Sequence, residues 1–384
     1  MLRDSYMRCN KTSRILILSQ RGWRHQVANS LLYDFEDSIC DFDDVDLVIL
    51  THPTGFPGKI YRLGKRLTGS DQFARFITPF FSEFSLEKEY DLLFVIVDNP
   101  WQMLSINALK NWQKKCKRVV CFIAEIWEKM FENRELLHEP LQYCDYFFTH
   151  CSQSIEKFVQ LSGRPCTYLS PAVNTIQSSP HPFFPARSID ITYIGRRSSI
   201  THGALLGMTK KKNFFYYYDT FKDSSVMDAQ EHRALLTNLL KRTRYFIANY
   251  ARIDRPEEIG GQQEPSFRFV EGAAAGAVML GKPPANEVFA RDFDWPDAVI
   301  PMEFDAPNIG EIIADLDTQP ERLAKIRREN VVNSLLRHDY VHRWKTVLEI
   351  VGLPATPKML SREDHLQHLA DSMAQESFHS DVRS

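Results

Sequence analysis

The sequence predicts an α/β fold of two Rossmann-like, doubly wound domains facing a cleft. Three observations predict it. Short apolar runs alternate with longer amphipathic stretches along the 384 residues. Those runs are rich in Val, Ile, Leu and Phe without polar alternation, as strands buried on both faces of a parallel sheet are. The alternation stops at a Pro/Ser-rich break near residue 180 and then starts again, which marks a linker between two units.

In the first half the strand-sized runs are 14–19, 46–51, 91–97, 118–124, 146–149 and 167–169, with helical stretches at 26–35, 101–116 and 152–161. The break carries Pro171, Asn174, Ser178, Ser179, Pro180, His181, Pro182 and Pro185. After it come strands at 189–194, 244–249, 277–280 and 298–301, and helices at 266–275, 307–316 and 320–351. The domains are therefore expected at 1–175 and 188–352, joined by a linker at 176–187. A polar tail at 353–384 has room for a helix within 362–375. The length agrees, because single cores stop growing near ~250–300 residues.

Composition narrows the function. The chain is 43% hydrophobic, enough for two cores, and its net charge is −2. Neither half is a polycation, which argues against a nucleic-acid partner. Residues 58–67 are a local exception. Ile60, Leu63 and Leu67 lie on one helical stripe and Lys59, Arg62 and Arg66 on another. That pattern suits peripheral contact with anionic lipid, or simply a solvated face. Seven cysteines, all in the first half, without Cys-x-x-Cys spacing, point to reduced thiols in a cytoplasmic protein. No apolar run approaches the ~18 residues of a membrane span.

The strongest chemical signal is the stretch from Gly260-Gly261 through Glu264, Ser266, Arg268 and Glu271 to Gly276. A glycine loop opens a helix whose first turn can receive phosphate on its backbone N–H groups, and Arg268 adds a charged fork. Glu271 lies one turn on, and a carboxylate can accept from both hydroxyls of a ribose. Small residues at 272–277 let this helix approach its sheet. Gly195-Arg196-Arg197 follows the first strand of the second half, where backbone nears a diphosphate in nucleotide-binding folds; a solvated basic turn is the plainer alternative.

This segment resembles the signature of retaining GT-B glycosyltransferases, and more closely their spore-maturation-type branch, with its Ser-x-Arg-x-x-Glu helix followed by Ala-x-Gly-Ala. The likeness extends to His338-Asp339-Tyr340-Val341-His342-Arg343-Trp344 and to Tyr193–Arg197. It implies a GT-B fold, a nucleoside-diphosphate sugar as co-substrate, no further cofactor, and a hydroxyl-bearing acceptor such as a glycan, lipid or small molecule. It also implies that Glu271 binds the ribose and that a second Glu, eight positions earlier, touches the donor sugar. Here that position holds Gln263, with Glu264 spaced seven. Either Glu264 shifts into the role or Gln263 replaces it.

On the N-terminal side, loops after strands place Gly22 and His25, Asp98, and Glu125 at the cleft edge. Glu125, Asp98 and Glu264 are the catalytic candidates. Gly195, Arg196, Arg197, Gln263, Ser266, Arg268 and Glu271 are the donor-binding ones, and Gly22 and His25 lie on the acceptor side. Three lookalikes are set aside. His338 and His342 lack an adjacent Glu for a zinc helix, Asp41–Asp44 reads as a solvated loop, and Lys210–Lys212 leads into a buried aromatic strand. No metal site is expected, so the leaving diphosphate falls to arginines and helix N–H groups. A GT-B sugar-nucleotide epimerase and a non-catalytic GT-B-like binding protein are the alternative readings.

Overall fold

The computed structural model describes residues 6–8, 12–21, 25–50, 66–67, 83–132, 141–210, 213–220, 225–226 and 228–375. Gly22 lies outside them, as does nearly all of 58–67. Of that stretch only Arg66 and Leu67 are described, both exposed.

Among the described residues the N-terminal sheet has seven strands: β1 (Tyr6–Arg8), β2 (Ile15–Ser19), β3 (Val45–Ile49), β4 (Leu92–Val97), β5 (Val119–Ile123), β6 (Tyr146–Thr149) and β7 (Cys166–Tyr168). Their spatial order is β1-β3-β2-β4-β5-β6-β7. All neighbours run parallel except β1 against β3. The C-terminal sheet comprises β8 (Ile189–Thr192), β9 (Tyr216–Tyr217), β10 (Thr243–Ile247), β11 (Val278–Gly281) and β12 (Ile300–Pro301). It is wholly parallel, in the order β9-β8-β10-β11-β12. Every residue of β2, β4 and β5 is buried, which is why these strands read as continuous apolar runs.

The helices used below are α1 (Ser30–Phe42), α2 (Ile155–Ser162), α3 (Ser199–Thr209), α4 (Ala229–Lys241), α5 (Phe267–Ala274), α6 (Pro320–Arg337), α7 (Tyr340–Val351) and α8 (Pro357–Gln375). Two expected helices differ. The stretch 101–116 is a 3-10 run, Pro100–Ala108, then Leu109–Lys110 paired with Phe84–Ser85, then a short helix. Asn111, left-handed at φ 63°, breaks the path. The single helix expected at 320–351 is two. Asp339 leaves helical geometry, caps α7 through Val341 N–H at 3.0 Å, and also accepts from the Thr175 N–H and hydroxyl. A side chain that takes up an N–H at the start of the next helix, as Asp339 does with Val341, ends the helix before it.

Packing at the C-terminal end does not follow chain order. Trp344 of α7 and Met359, Leu366, Ala370 and Met373 of α8 join Ile15, Ile17, Phe94 and Phe122 in the core on one face of the N-terminal sheet. Residues beyond 353, expected as a polar tail, thus include a helix with a buried apolar stripe. Asp43, expected in a solvated loop, is 2% exposed and accepts the Trp344 indole N–H at 2.8 Å. No helix among the described residues is long and apolar enough to cross a membrane.

Candidate functional site

Strand β8 ends at Thr192, and the chain continues through Tyr193 and Ile194 into Gly195, whose φ of 79° suits glycine. A Cβ built there would stand 3.5 Å from the Arg268 guanidinium. The structure therefore brings the Gly195 loop and the start of α5 side by side. Helix α5 enters close to its sheet: a side chain at Gly272 would meet Phe246 at 2.7 Å and Met279 at 2.8 Å. The small residues at 272–277 are thus a packing requirement. Ser266 stands at the N-cap, but its hydroxyl donates to the Asn249 carbonyl at 2.6 Å and makes no cap bond. No side chain caps the first turn of α5, whose Phe269 N–H donates to the Ser266 carbonyl at 3.3 Å.

Both carboxylate oxygens of Glu271 are engaged by arginines in this arrangement. The residue is 2% exposed, and its carboxylate accepts from Arg233 through one oxygen and from Arg268, at 2.5 Å, through the other. Burial pushes its pKa up, but the guanidinium groups of Arg268 and Arg233 outweigh that and hold it below the ordinary value. Arg233, on α4, is itself buried, and its Nε lies 3.7 Å from Asp34 on α1 of the N-terminal domain. Burial raises Asp34 to about 6 despite that arginine. A charged chain therefore runs from Asp34 through Arg233 and Glu271 to Arg268. Arg196 pairs with Asp254 at 3.1 Å and Arg197 with Asp219.

The segment before α5 points the other way. Glu264, 1% exposed, accepts from the Gln153 N–H at 2.7 Å and the Ser152 hydroxyl at 2.9 Å, in the 3-10 turn that leads into α2. Gln262 accepts from the Glu128 N–H and donates to Ser154. Gln263 accepts from the Ala285 N–H. Burial lifts Glu264 to about 7, only partly offset by its Gln153 and Ser152 donors. So Glu264 grips the opposite domain, and Gln263 bonds to both: its side chain meets Ala285 in its own domain while its backbone N–H donates to the Gln153 side chain at 2.7 Å.

Across the cleft, Glu125 follows β5 as expected. Its carboxylate is taken by Arg252 and by the Trp127 indole N–H at 3.0 Å, and its own N–H donates to the Asp98 carbonyl at 2.9 Å. Asp98 and Glu125 are thus neighbours, and Glu125 is part of an ion pair between the domains. His25 is exposed. It lines a cavity of about 240 Å³ with Gln26, Ser30, Tyr33, Asp228 and Gln230.

Sequence reasoning missed His150 and Arg233. His150 directly follows β6, the same signal that singled out Glu125. Its ring stands edge-on to Phe267, the first residue of α5, at 5.0 Å. Its Nδ1 meets the Leu169 carbonyl, which can only accept, so Nδ1 carries the proton and Nε2 is the acceptor. Burial lowers its pKa to about 4; the imidazole is neutral near pH 7. Arg233 had a signal too, as a cation on the apolar stripe with Leu236 and Leu240.

Comparison with known proteins bears on the fold and on the C-terminal domain. Residues 216–349 match the family described as glycosyl transferase-like. Anabaena Alr3699/HepE in complex with UDP and glucose superposes with a TM-score of 0.50 at 12% identity, over 88% of this chain and 99% of that one. An alpha-glucosyltransferase in complex with UDP and a 13-mer DNA superposes at 0.51 and 12% identity, over 88% and 99%. No curated protein matches the sequence. The structural likeness shows the fold, and the matched domain holds the Arg268–Glu271 helix. Together they give a fold of the GT-B type whose C-terminal part is similar to glycosyl transferase-like domains.

Proposed function

We propose that this protein moves a sugar from a nucleoside-diphosphate sugar to a hydroxyl group of a glycan, lipid or small molecule, with retention of configuration and without a metal. One observation carries the reading. The first turn of α5, left without a side-chain cap, lies beside Gly195 with Arg268 between them. Backbone N–H groups and a guanidinium there suit two phosphates, and they stabilise the leaving diphosphate where its charge develops. The UDP bound by the two superposed proteins makes a uridine nucleotide the first donor to test.

In this reading Glu271 serves the donor by aiming Arg268 rather than by touching the ribose. Neutral His150 faces the sugar as an acceptor from one of its hydroxyls. Glu264 and Glu125 hold the two domains together, which excludes water that would hydrolyse the donor. The near-zero net charge supports an acceptor other than nucleic acid, and the cysteine pattern supports a cytoplasmic setting.

Calorimetric titration with UDP and UDP-glucose in excess EDTA tests the donor half. Binding and turnover are expected to survive chelation, and NMR of the first-formed glycoside is expected to show the donor's anomeric configuration. Activity lost to EDTA and restored by Mg²⁺ overturns the arginine role. An inverted linkage overturns retention.

A further inference from the structure

Each arginine facing the proposed diphosphate position already holds a carboxylate: Arg196 holds Asp254, Arg197 holds Asp219 and Arg268 holds Glu271. Asp219 differs from the other two. Its two oxygens also accept from the Gly195 backbone N–H, at 3.2 and 3.1 Å. That N–H belongs to the left-handed turn that follows β8, beside Arg268. Arg197 lies over the Tyr218 ring at 5.5 Å, which steadies the guanidinium where Asp219 meets it. A glycine N–H and a guanidinium are the donors that a phosphate oxygen uses. Asp219 thus occupies an anion position built from the loop on which a GT-B fold sets its donor phosphates. Its side chain is 34% exposed, so it has solvent to turn into. Glu271 is buried and has no such exit.

We propose that Asp219 sets donor affinity by holding the Gly195–Arg197 anion position itself, so that a diphosphate binds only by displacing it. This rests on the donor reading above. One N–H and one guanidinium edge cannot serve two anions at contact distance, because like charges there repel. The carboxylate competes with every ligand that puts phosphate on Gly195. It also returns when the diphosphate product leaves, which speeds release.

The test compares the parent with Asp219→Asn, Asp219→Ala and Asp254→Asn in titrations with UDP, inorganic pyrophosphate and uridine. Asp254→Asn removes the same charge from the neighbouring arginine without touching the glycine loop. Both Asp219 variants are expected to bind UDP and pyrophosphate about tenfold more tightly and to release UDP more slowly. Uridine affinity is expected to stay unchanged. UDP binding that is unchanged or weaker in the Asp219 variants overturns the proposal and leaves the donor reading intact. So does equal tightening by Asp254→Asn, which assigns the effect to overall charge. A fall in uridine affinity makes Asp219 a nucleoside contact instead and likewise overturns it. Failure of parent and variants alike to bind UDP or pyrophosphate sinks this proposal and the donor reading together.

Discussion

Glu264 and Glu271 stand seven residues apart on one continuous segment and are almost equally buried, at 1% and 2% exposed. Yet their pKa values move in opposite directions. Burial alone raises a carboxyl, and Glu264, whose partners are a neutral N–H and a hydroxyl, rises to about 7. Glu271 meets two guanidinium groups and falls. Partner charge rather than depth decides whether a buried acid is ionised. The difference divides the segment by task. The part before α5 grips the N-terminal domain through a carboxyl that titrates at about pH 7. Glu271, one turn further on in α5, keeps a charge that orients Arg268.

The largest effect expected from this contrast is at Arg233. Arg233→Met removes the buried cation and leaves Asp34 and the inner oxygen of Glu271 without it. Breaking a buried pair by deleting one partner costs about 3–5 kcal/mol. Urea unfolding is the measurement. A loss under about 1 kcal/mol would mean that Glu271 does not depend on Arg233, and the contrast with Glu264 would weaken.

The same contrast explains how much of the molecule was legible in its sequence. Strands buried on both faces advertise themselves, so β2, β4, β5 and β6 fall within a residue or two of their apolar runs. Helix ends are harder. Periodicity continues smoothly from α6 into α7, and only the Asp339 side chain interrupts it. The packing of α8 on the N-terminal sheet is invisible, since the apolar stripe of Met359, Leu366, Ala370 and Met373 does not say which surface it meets. At the site, Gly195, Arg268 and Glu271 could be grouped because the spacing along α5 and the strand–loop position are local properties. The partners that change their meaning, Arg233 on Glu271, Arg252 on Glu125 and Ser152 on Glu264, come from distant chain, and no local pattern announces them.

Glu264 gives the second prediction. Its folded pKa, about 7, lies above the ordinary 4.5. The folded state therefore holds the proton more tightly than the unfolded chain does. The contribution is fully present below about 4.5 and is lost as pH rises through 7. Over that window the loss is roughly 3 kcal/mol, at about 1.4 kcal/mol for each pK unit. Glu264→Gln mimics the protonated acid, with one acceptor and one donor. It is expected to match the parent near pH 5 and to be more stable at pH 8. Urea unfolding at both values checks this. A variant less stable than the parent at pH 8 would show that the ionised carboxylate is the better grip, and the division of the segment would fail.

The smallest expected effect falls on the exposed end of the charged chain. Arg268 is 27% exposed at its side chain, and Glu271 keeps Arg233 when Arg268 is gone. Arg268→Ala should therefore change stability far less than Arg233→Met does. Its cost should appear in ligand binding, because the guanidinium lies between the first turn of α5 and Gly195. Loss of one charge-assisted hydrogen bond to phosphate costs about 1.5–3 kcal/mol. That corresponds to roughly a ten- to hundredfold weaker affinity for UDP, while uridine, which has no phosphate, should bind as before. Glu271→Gln should reproduce the same selectivity in weaker form, since it acts on the donor only through Arg268. Titration of both variants with UDP and uridine separates this from a ribose contact. If Glu271→Gln weakens uridine as much as UDP, its carboxylate touches the nucleoside after all. The chain from Asp34 to Arg268 would then be a structural brace and not the means by which the donor site is aimed.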